Sequence, residues 1–248
     1  MNIRPLYLIA LFVCLTGCQN ELKEKMASSP NEKASIESFL VDEPYTFQKL
    51  QDPNIWRTFK NMEEMIDACQ IPEDILRHIS TENLIVSCMN YPLFFTYSAY
   101  NNELDGIKII IENFNGLIEL QKRNLAAEKL IDFYSIMDIE TSDLKYNTLH
   151  LGYIELLLTS GIIQDIFNAK NIEKLEEAAS LKLYKKLSRP DVYSIFSVNK
   201  SLLLGASIAL QKGASITEKG KELLENFINC GGMVESSQYT EVSRLINL

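Results

Sequence analysis

Residues 61–92 read NMEEMIDACQIPEDILRHISTENLIVSCMNYP, and three helix starts stand in that one stretch. Asn61 precedes MEEMIDACQ, in which Met62, Met65, Ile66 and Cys69 recur at helical spacing. A short polar side chain at that position accepts from the free N–H groups of a first turn. Ile71-Pro72 ends the run, because the residue before a proline is steered away from the helical region. Pro72, with Glu73 and Asp74 behind it, opens a second short helix to Ile79, since both the ring and the acids suit a first turn. Ser80 then precedes TENLIVSCMN, which stops ahead of Pro92. No alternation of period two with Asn-Gly or Asp-Gly turns accompanies these runs, so the stretch reads as helices and not hairpins.

Outward in both directions the same punctuation repeats. Pro92 begins LFFTYSAY; Asn102 or Glu103 opens a helix through Ile111, interrupted at residues 113–116; runs at 116–122 and 124–137 carry Leu117, Leu120, Leu125, Leu130, Ile131 and Tyr134 at helical spacing. Further on, Thr141 or Ser142 is expected to cap a long helix to Ser160, with Gly161 just past its end. Residues 171–187 set Ile172, Leu175, Ala178, Ala179 and Leu183 against a Lys/Glu face. Pro190 is expected to open a helix to about Gly213 whose centre is apolar nearly all round and therefore buried. Ser215-Ile-Thr-Glu218 has the form of a capping box for a helix over 216–229, which Gly231-Gly232 ends. The fold class is all-α: short antiparallel helices stacked as an irregular α-solenoid of the HEAT or armadillo kind, with a compact helical bundle as the alternative. Helix number and length carry the solenoid reading, because no repeat of fixed period is present.

The N-terminus has a different character. Residues 1–5 hold Arg4 and no acid, and residues 6–15 (LYLIALFVCL) are continuously apolar. About 20 such residues are needed to span a bilayer as a helix, so ten match the apolar region of a secretory signal instead. Leu15-Thr16-Gly17-Cys18 follows. This resembles the lipobox of bacterial lipoproteins, which implies cleavage before Cys18 and acylation of its thiol, palmitate being the typical chain. Two or three acyl chains hold a protein firmly, where one holds it marginally. The expected organisation is a signal peptide at 1–17, the lipidated cysteine and a flexible polar tether at 18–34, and one helical domain at 35–248. Gln19 is not the aspartate associated with inner-membrane retention, so the outer membrane is the favoured address in the bacterial cell envelope.

Composition narrows the partners. The formal charge is −9, and removal of residues 1–17, with one basic and no acidic side chain, makes it one unit more negative. Nucleic-acid binding depends on neutralising phosphates, and an acidic chain with no Lys/Arg cluster is excluded from that class. The same acidity opposes charge-driven binding to anionic lipid and leaves the covalent lipid at Cys18 as the expected membrane contact. Of five cysteines, Cys14 leaves with the signal and Cys18 takes lipid. Cys69 and Cys88 are a candidate disulfide if their helices pack antiparallel; buried free thiols are the alternative. An odd count leaves at least one cysteine over.

Residues 56–123 also resemble, in part, a lipoprotein group of Bacteroidales-type bacteria. The elements are Trp56-Arg57 with Met65 and Ala68-Cys69; Pro72 with Ser80-Thr81-Glu82; Cys88-x-x-Tyr91-Pro92; Ala99-Tyr100-Asn101; and Phe114-Asn115-Gly116. The resemblance covers about a third of the chain, implies the same lipoprotein address, and brings no functional residues with it.

Catalytic signals are sparse. His78 and His150 lie on different helices without the ligand spacing of a zinc site, so no metal and no cofactor is expected. Neither H-E-x-x-H, G-x-S-x-G nor a phosphate-binding glycine loop occurs. Ser197-Val-Asn-Lys200 matches a bare Ser-x-x-Lys string without the partner motifs that give it meaning. Glu63-Glu64 and Glu176-Glu177 read as solvated helix faces. The richest surface candidate is aromatic: Tyr91, Phe94, Phe95, Tyr97, Tyr100 and Asn101, with Trp56 beside them, either lining a groove for a peptide or glycan or filling the core. The functional expectation is a membrane-anchored, non-enzymatic protein- or peptide-binding or scaffold module. An envelope enzyme acting on peptide or glycan, and an inhibitor- or immunity-type lipoprotein, are the alternatives.

Overall fold

In the computed structural model the described residues are 36–138, 146–213 and 216–246. Every regular element among them is a helix, with no strand, so the all-α class holds. Signal peptide, lipobox and tether fall outside the described residues. The described residues divide into two compact units, one within Lys33–Ile166 and the other within Phe167–Leu248.

The helices of the first unit are α1 (Ile36–Phe39), α2 (Pro53–Trp56), α3 (Met62–Ala68), α4 (Glu73–His78), α5 (Thr81–Met89), α6 (Glu103–Asn113), α7 (Asn115–Leu120), α8 (Ala126–Ile136) and α9 (Thr148–Thr159). Two 3₁₀ helices, Gln48–Gln51 and Phe94–Ala99, join them. The caps read from sequence are in place at α3, where Asn61 accepts from the Glu64 N–H, at α5, where Ser80 accepts from Asn83, and at α6, where Asn102 accepts from Leu104. The helix expected from Thr141 or Ser142 instead takes Asn147 as its cap, residues 139–145 lying outside the description. Pro92 introduces a 3₁₀ helix, not an α-helix.

Helix α5 is the centre of this unit: every residue from Asn83 to Met89 is buried. It packs on α7 and α8, while α6 packs on α7, on α9 and on the 3₁₀ helix Phe94–Ala99. The two buried polar residues of α5, Asn83 and Ser87, are four apart and so share a face. On that face lies an irregular strap, residues 40–47. The Val41 N–H donates to Asn83 Oδ1 (3.0 Å) and the Tyr45 N–H to Ser87 Oγ (2.8 Å). Phe47, left-handed at φ 53°, drives its buried ring to within 6.3 Å of Tyr91 and 6.2 Å of Phe114. A buried amide and a buried hydroxyl thus meet N–H groups of the irregular strap.

A second polar joint fastens α3 to α7. Asn115 bonds the backbone of Ile71 and Gln70 that of Asn115: Asn115 Oδ1 accepts from the Ile71 N–H, its Nδ2 donates to Ile71 O, and Gln70 Oε1 accepts from the Asn115 N–H. Arg123 closes the end of α4 by donating to the carbonyls of Leu76 (2.7 Å) and Ile79 (3.2 Å), groups a helix C-terminus leaves open.

The second unit holds α10 (Ala169–Ser188), α11 (Ile195–Lys212), α12 (Glu218–Asn229) and α13 (Ser236–Ile246). Helices α10 and α11 are antiparallel, since Lys186 reaches Ser197 O near their connection and Lys212 reaches Glu176 at the far end, both at 2.7 Å. As expected, α11 is buried along its centre, and α10, α12 and α13 all pack on it. Two starts differ from the sequence reading. Ser194, not Pro190, caps α11, and Thr217 caps α12 by accepting from the Gly220 N–H. Helix α13 follows the Gly-Gly stop, with Val242 and Ile246 as its buried positions.

Candidate functional site

The 3₁₀ helix Phe94–Ala99 divides the aromatic candidates. Tyr91 and Tyr97 are core residues: Tyr91 stacks on Phe114 at 4.1 Å, and Tyr97 lies parallel to Tyr153 at 6.2 Å and donates to Leu149 O at 2.9 Å. They are removed from any surface site. Trp56 takes Phe59 as its ring partner and donates from Nε1 to Leu50 O. What reaches solvent is Phe95 (48 %), Tyr100 (41 %) and, from the start of α9, Leu149 (42 %), with Asn101 also exposed. Within the 3₁₀ helix, with three residues per turn, Phe94 and Tyr97 share a side and Phe95 and Ser98 another, while Tyr100 follows its end in extended backbone.

Phe94 joins this surface to a histidine. Its ring stacks on His150 at 4.0 Å, and Tyr146 meets the other edge of His150 at 5.2 Å. His150 is the third residue of α9 and completes its capping box: Asn147 Oδ1 accepts from the His150 N–H, while His150 Nδ1 lies 3.3 Å from the Asn147 N–H. An imidazole replaces the usual Glu or Gln in that reciprocal pair. Burial against the two rings pushes its pKa down to about 4, so the ring is neutral at ordinary pH. Its neighbours are aromatic rings and an amide, which suits packing and capping and supplies no acid partner for proton transfer.

Sequence reasoning did not single out two buried groups on α9. Glu155 is fully buried and accepts from Tyr134 OH at 3.1 Å. Burial first, and then the nearby carboxylate, raise the Tyr134 pKa well above its ordinary value. Tyr153 is wholly buried and its hydroxyl has no hydrogen-bond partner. Burial raises its pKa far, with Cys88, Tyr91 and Tyr97 nearby adding to the effect. An unpaired buried hydroxyl retains a desolvation penalty of about 1–3 kcal/mol. Tyr153→Phe is therefore expected to stabilise the protein by about 1 kcal/mol in urea denaturation. A loss of stability would show that the hydroxyl is paired.

The remaining candidates separate. Cys69 and Cys88 are buried free thiols, so the candidate bridge is not formed, and Cys230 is exposed. Burial raises the Cys69 pKa to about 11 and that of Cys88 further, which leaves both inert as nucleophiles. His78 is on α4 with Nδ1 2.7 Å from Asp74 O, an ordinary helix position. Ser197 Oγ is buried without a hydrogen-bond partner, so Lys200 does not activate it; Lys200 Nζ lies 3.4 Å from Phe196 O instead. Among the described residues no group of three or more His, Cys, Asp or Glu is placed to hold a metal ion.

The second unit exposes apolar side chains of its own. Phe196 on α11 is 63 % exposed and Met233, just past the Gly-Gly turn, is 67 % exposed. Near each in sequence lies one partner of a single contact, Asn199 Nδ2 donating to Gly231 O at 3.2 Å. Gly232 is required there, because its φ is +80° and an added Cβ would fall 2.2 Å from the Asn199 amide.

Compared with protein-family models, with curated proteins and with solved structures, the chain gives no match in any of the three.

Proposed function

We propose that this chain is a lipid-tethered envelope lipoprotein, held at a bacterial membrane through Cys18 and favouring the outer membrane, that works as a non-enzymatic binding or scaffold module for a protein or peptide. The carrying observation is that each of the two compact units turns large apolar side chains to solvent, Phe95, Tyr100 and Leu149 in one and Phe196 and Met233 in the other, on a chain whose formal charge is −9. Aromatic and other large apolar side chains at the surface are the groups around which contact surfaces are built. The lipobox-like run ending at Cys18 supports the anchoring half of the reading.

Two measurements test it. Metabolic labelling with a palmitate analogue is expected to mark the wild-type chain in the membrane pellet, and Cys18→Ala is expected to leave an unlabelled chain in the soluble fraction. A photo-crosslinking amino acid placed at position 196 is expected to trap one envelope protein in cells. That protein, once purified, should bind the soluble Cys18→Ala chain about tenfold more weakly when Phe196→Asp is added, a change of about 1.4 kcal/mol. Crosslinks no richer at position 196 than at an exposed helix position such as Lys174 would sink the binding reading.

A further inference from the structure

We propose that residues 36–46 form an exchangeable arm, and that the polar face of α5 takes this arm from a second copy of the chain. The product is an arm-swapped dimer hinged at Phe47. This goes beyond the binding reading above and does not depend on the lipid anchor.

The way the arm is held is the first argument. Among the described residues no backbone–backbone hydrogen bond joins residues 40–46 to the rest of the unit. Side chains of the unit hold the arm instead. Asn83 Oδ1 accepts from the Val41 N–H at 3.0 Å and from the Asp42 N–H at 3.4 Å. Ser87 Oγ accepts from the Tyr45 N–H at 2.8 Å, and Ser80 Oγ donates to Asp42 Oδ1 at 3.5 Å. Pro44 lies between these points; it has no N–H to satisfy and steers Glu43 away from the helical region. Phe39 against Phe133 of α8, at 5.4 Å, completes the seat. Every one of these partners lies outside the arm. An identical arm from a second copy therefore makes the same bonds in the same seat.

The hinge is the second argument. Phe47 has φ 53°, and an L side chain in that left-handed region is strained. Such a conformation persists only where its surroundings impose it. Here they act from both sides. The buried ring is set against Tyr91 at 6.3 Å and Phe114 at 6.2 Å, and the carbonyl accepts from the Leu50 N–H at 2.8 Å, while the arm ahead is tied to α5. Rotation about the Phe47 N–Cα bond moves only the chain ahead of it. The arm swings outward, the ring and the 3₁₀ helix behind it stay seated, and φ returns to the range that L residues prefer. In the monomer each seat is filled with that strain in place; in the dimer both seats are filled and the strain is released. Exchange of an identical element is a low-cost route to a two-fold dimer, and a short strained hinge favours it. Lost freedom on association opposes it, so the dimer forms by mass action as concentration rises.

The test uses the full chain with Cys230→Ser, which removes the exposed thiol, purified in a mild detergent. Two further versions carry Asp42→Cys or Ser80→Cys. Mixed at high concentration and oxidised, they are expected to form a disulfide between copies. It is read as a doubled mass on a non-reducing gel, reversed by reduction, and as a linked peptide pair joining positions 42 and 80. With both cysteines in one chain, oxidised at low concentration, the bond forms within the monomer and locks the arm. By light scattering, the dimer-to-monomer ratio of the unlocked chain should rise about tenfold for each tenfold rise in free monomer. The locked chain should lose the dimer. A chain that is monomeric at every concentration overturns the proposal. So does a dimer that forms without the bond between positions 42 and 80 of different copies, or one that persists in the locked chain, since that association uses another surface.

Discussion

Phe114→Ala is expected to lower the stability of the unit Lys33–Ile166 by about 4 kcal/mol, or roughly 15 °C in Tm. Phe114 is fully buried at the junction of α6 and α7, stacked on Tyr91 at 4.1 Å and tilted against Phe47 at 6.2 Å. It also fills the space left by Gly116, where an added Cβ would lie 2.5 Å from its ring. The ring therefore joins three parts of the fold: the strap through Phe47, the α5 end through Tyr91, and α7. Truncation removes the transfer free energy of the ring and opens a cavity that rigid helix ends on either side cannot close. The backbone role of the residue, with its N–H on Ile110 O and its carbonyl accepting from Leu117, is unchanged in alanine. Trp56, the single tryptophan, lies in the same unit and reports its unfolding in urea. Ile118→Ala, at an exposed position of α7, is the control and should lose less than about 1 kcal/mol. A comparable loss in both variants would refute the placing of Phe114 at the centre of the unit.

Acid should weaken the protein through His150 in a way that a single substitution removes. The folded unit binds a proton at this ring only near pH 4, while the unfolded chain binds it near pH 6.5. Between those values the unfolded state holds more protons, so stability falls as pH falls. The His150 contribution is complete above about pH 6.5 and is lost progressively toward pH 4, up to about 3 kcal/mol in all. The cause is local. The cation would be buried against Phe94 and Tyr146, could no longer accept from the Asn147 N–H, and would stand at the positive end of α9. Gln at this position keeps the capping box and does not titrate. His150→Gln is therefore expected to flatten the pH dependence of the urea midpoint relative to wild type between about pH 7 and pH 4. Carboxylates common to both chains cancel in that comparison. Parallel curves would refute the assignment to His150.

The legible parts of this protein are those written locally. Asn61, Ser80 and Asn102 are short polar side chains ahead of an apolar run, and each caps the helix that its position announces. Where several such residues crowd together, sequence alone chose the wrong one: Ser194 prevails over Pro190, and Thr217 caps α12 where Ser215 had been expected. Pairing between helices is a different matter. Nothing in the run of α5 says that Asn83 and Ser87 will receive a strap from forty residues upstream, because an amide at an inward position carries no mark of its partner. The aromatic cluster shows the same limit. Five rings close in sequence were visible as a group, yet their division between core and surface depends on a 3₁₀ turn and on α9 arriving from fifty residues away to cover Tyr97. Leu149, exposed at the start of α9 where its carbonyl accepts from Tyr97, stood outside the candidates for that reason. The Ser-x-x-Lys string was legible as a string only, since the hydroxyl and amine that chemistry would couple are not hydrogen-bonded to each other.

The strap has a mechanical meaning as well. Any tension arriving from upstream of residue 36 enters the unit through α1 and residues 40–47 before it reaches the helical core. It meets the Phe39–Phe133 contact first, then the hydrogen bonds to Asn83 and Ser87, and only then the wedge formed by Phe47. These fastenings are loaded in series, one after another, and not side by side. The packing of α1 is the first to be loaded, so tension at residue 36 would unpick the strap from its upstream end while α5 and the helices around it stay folded.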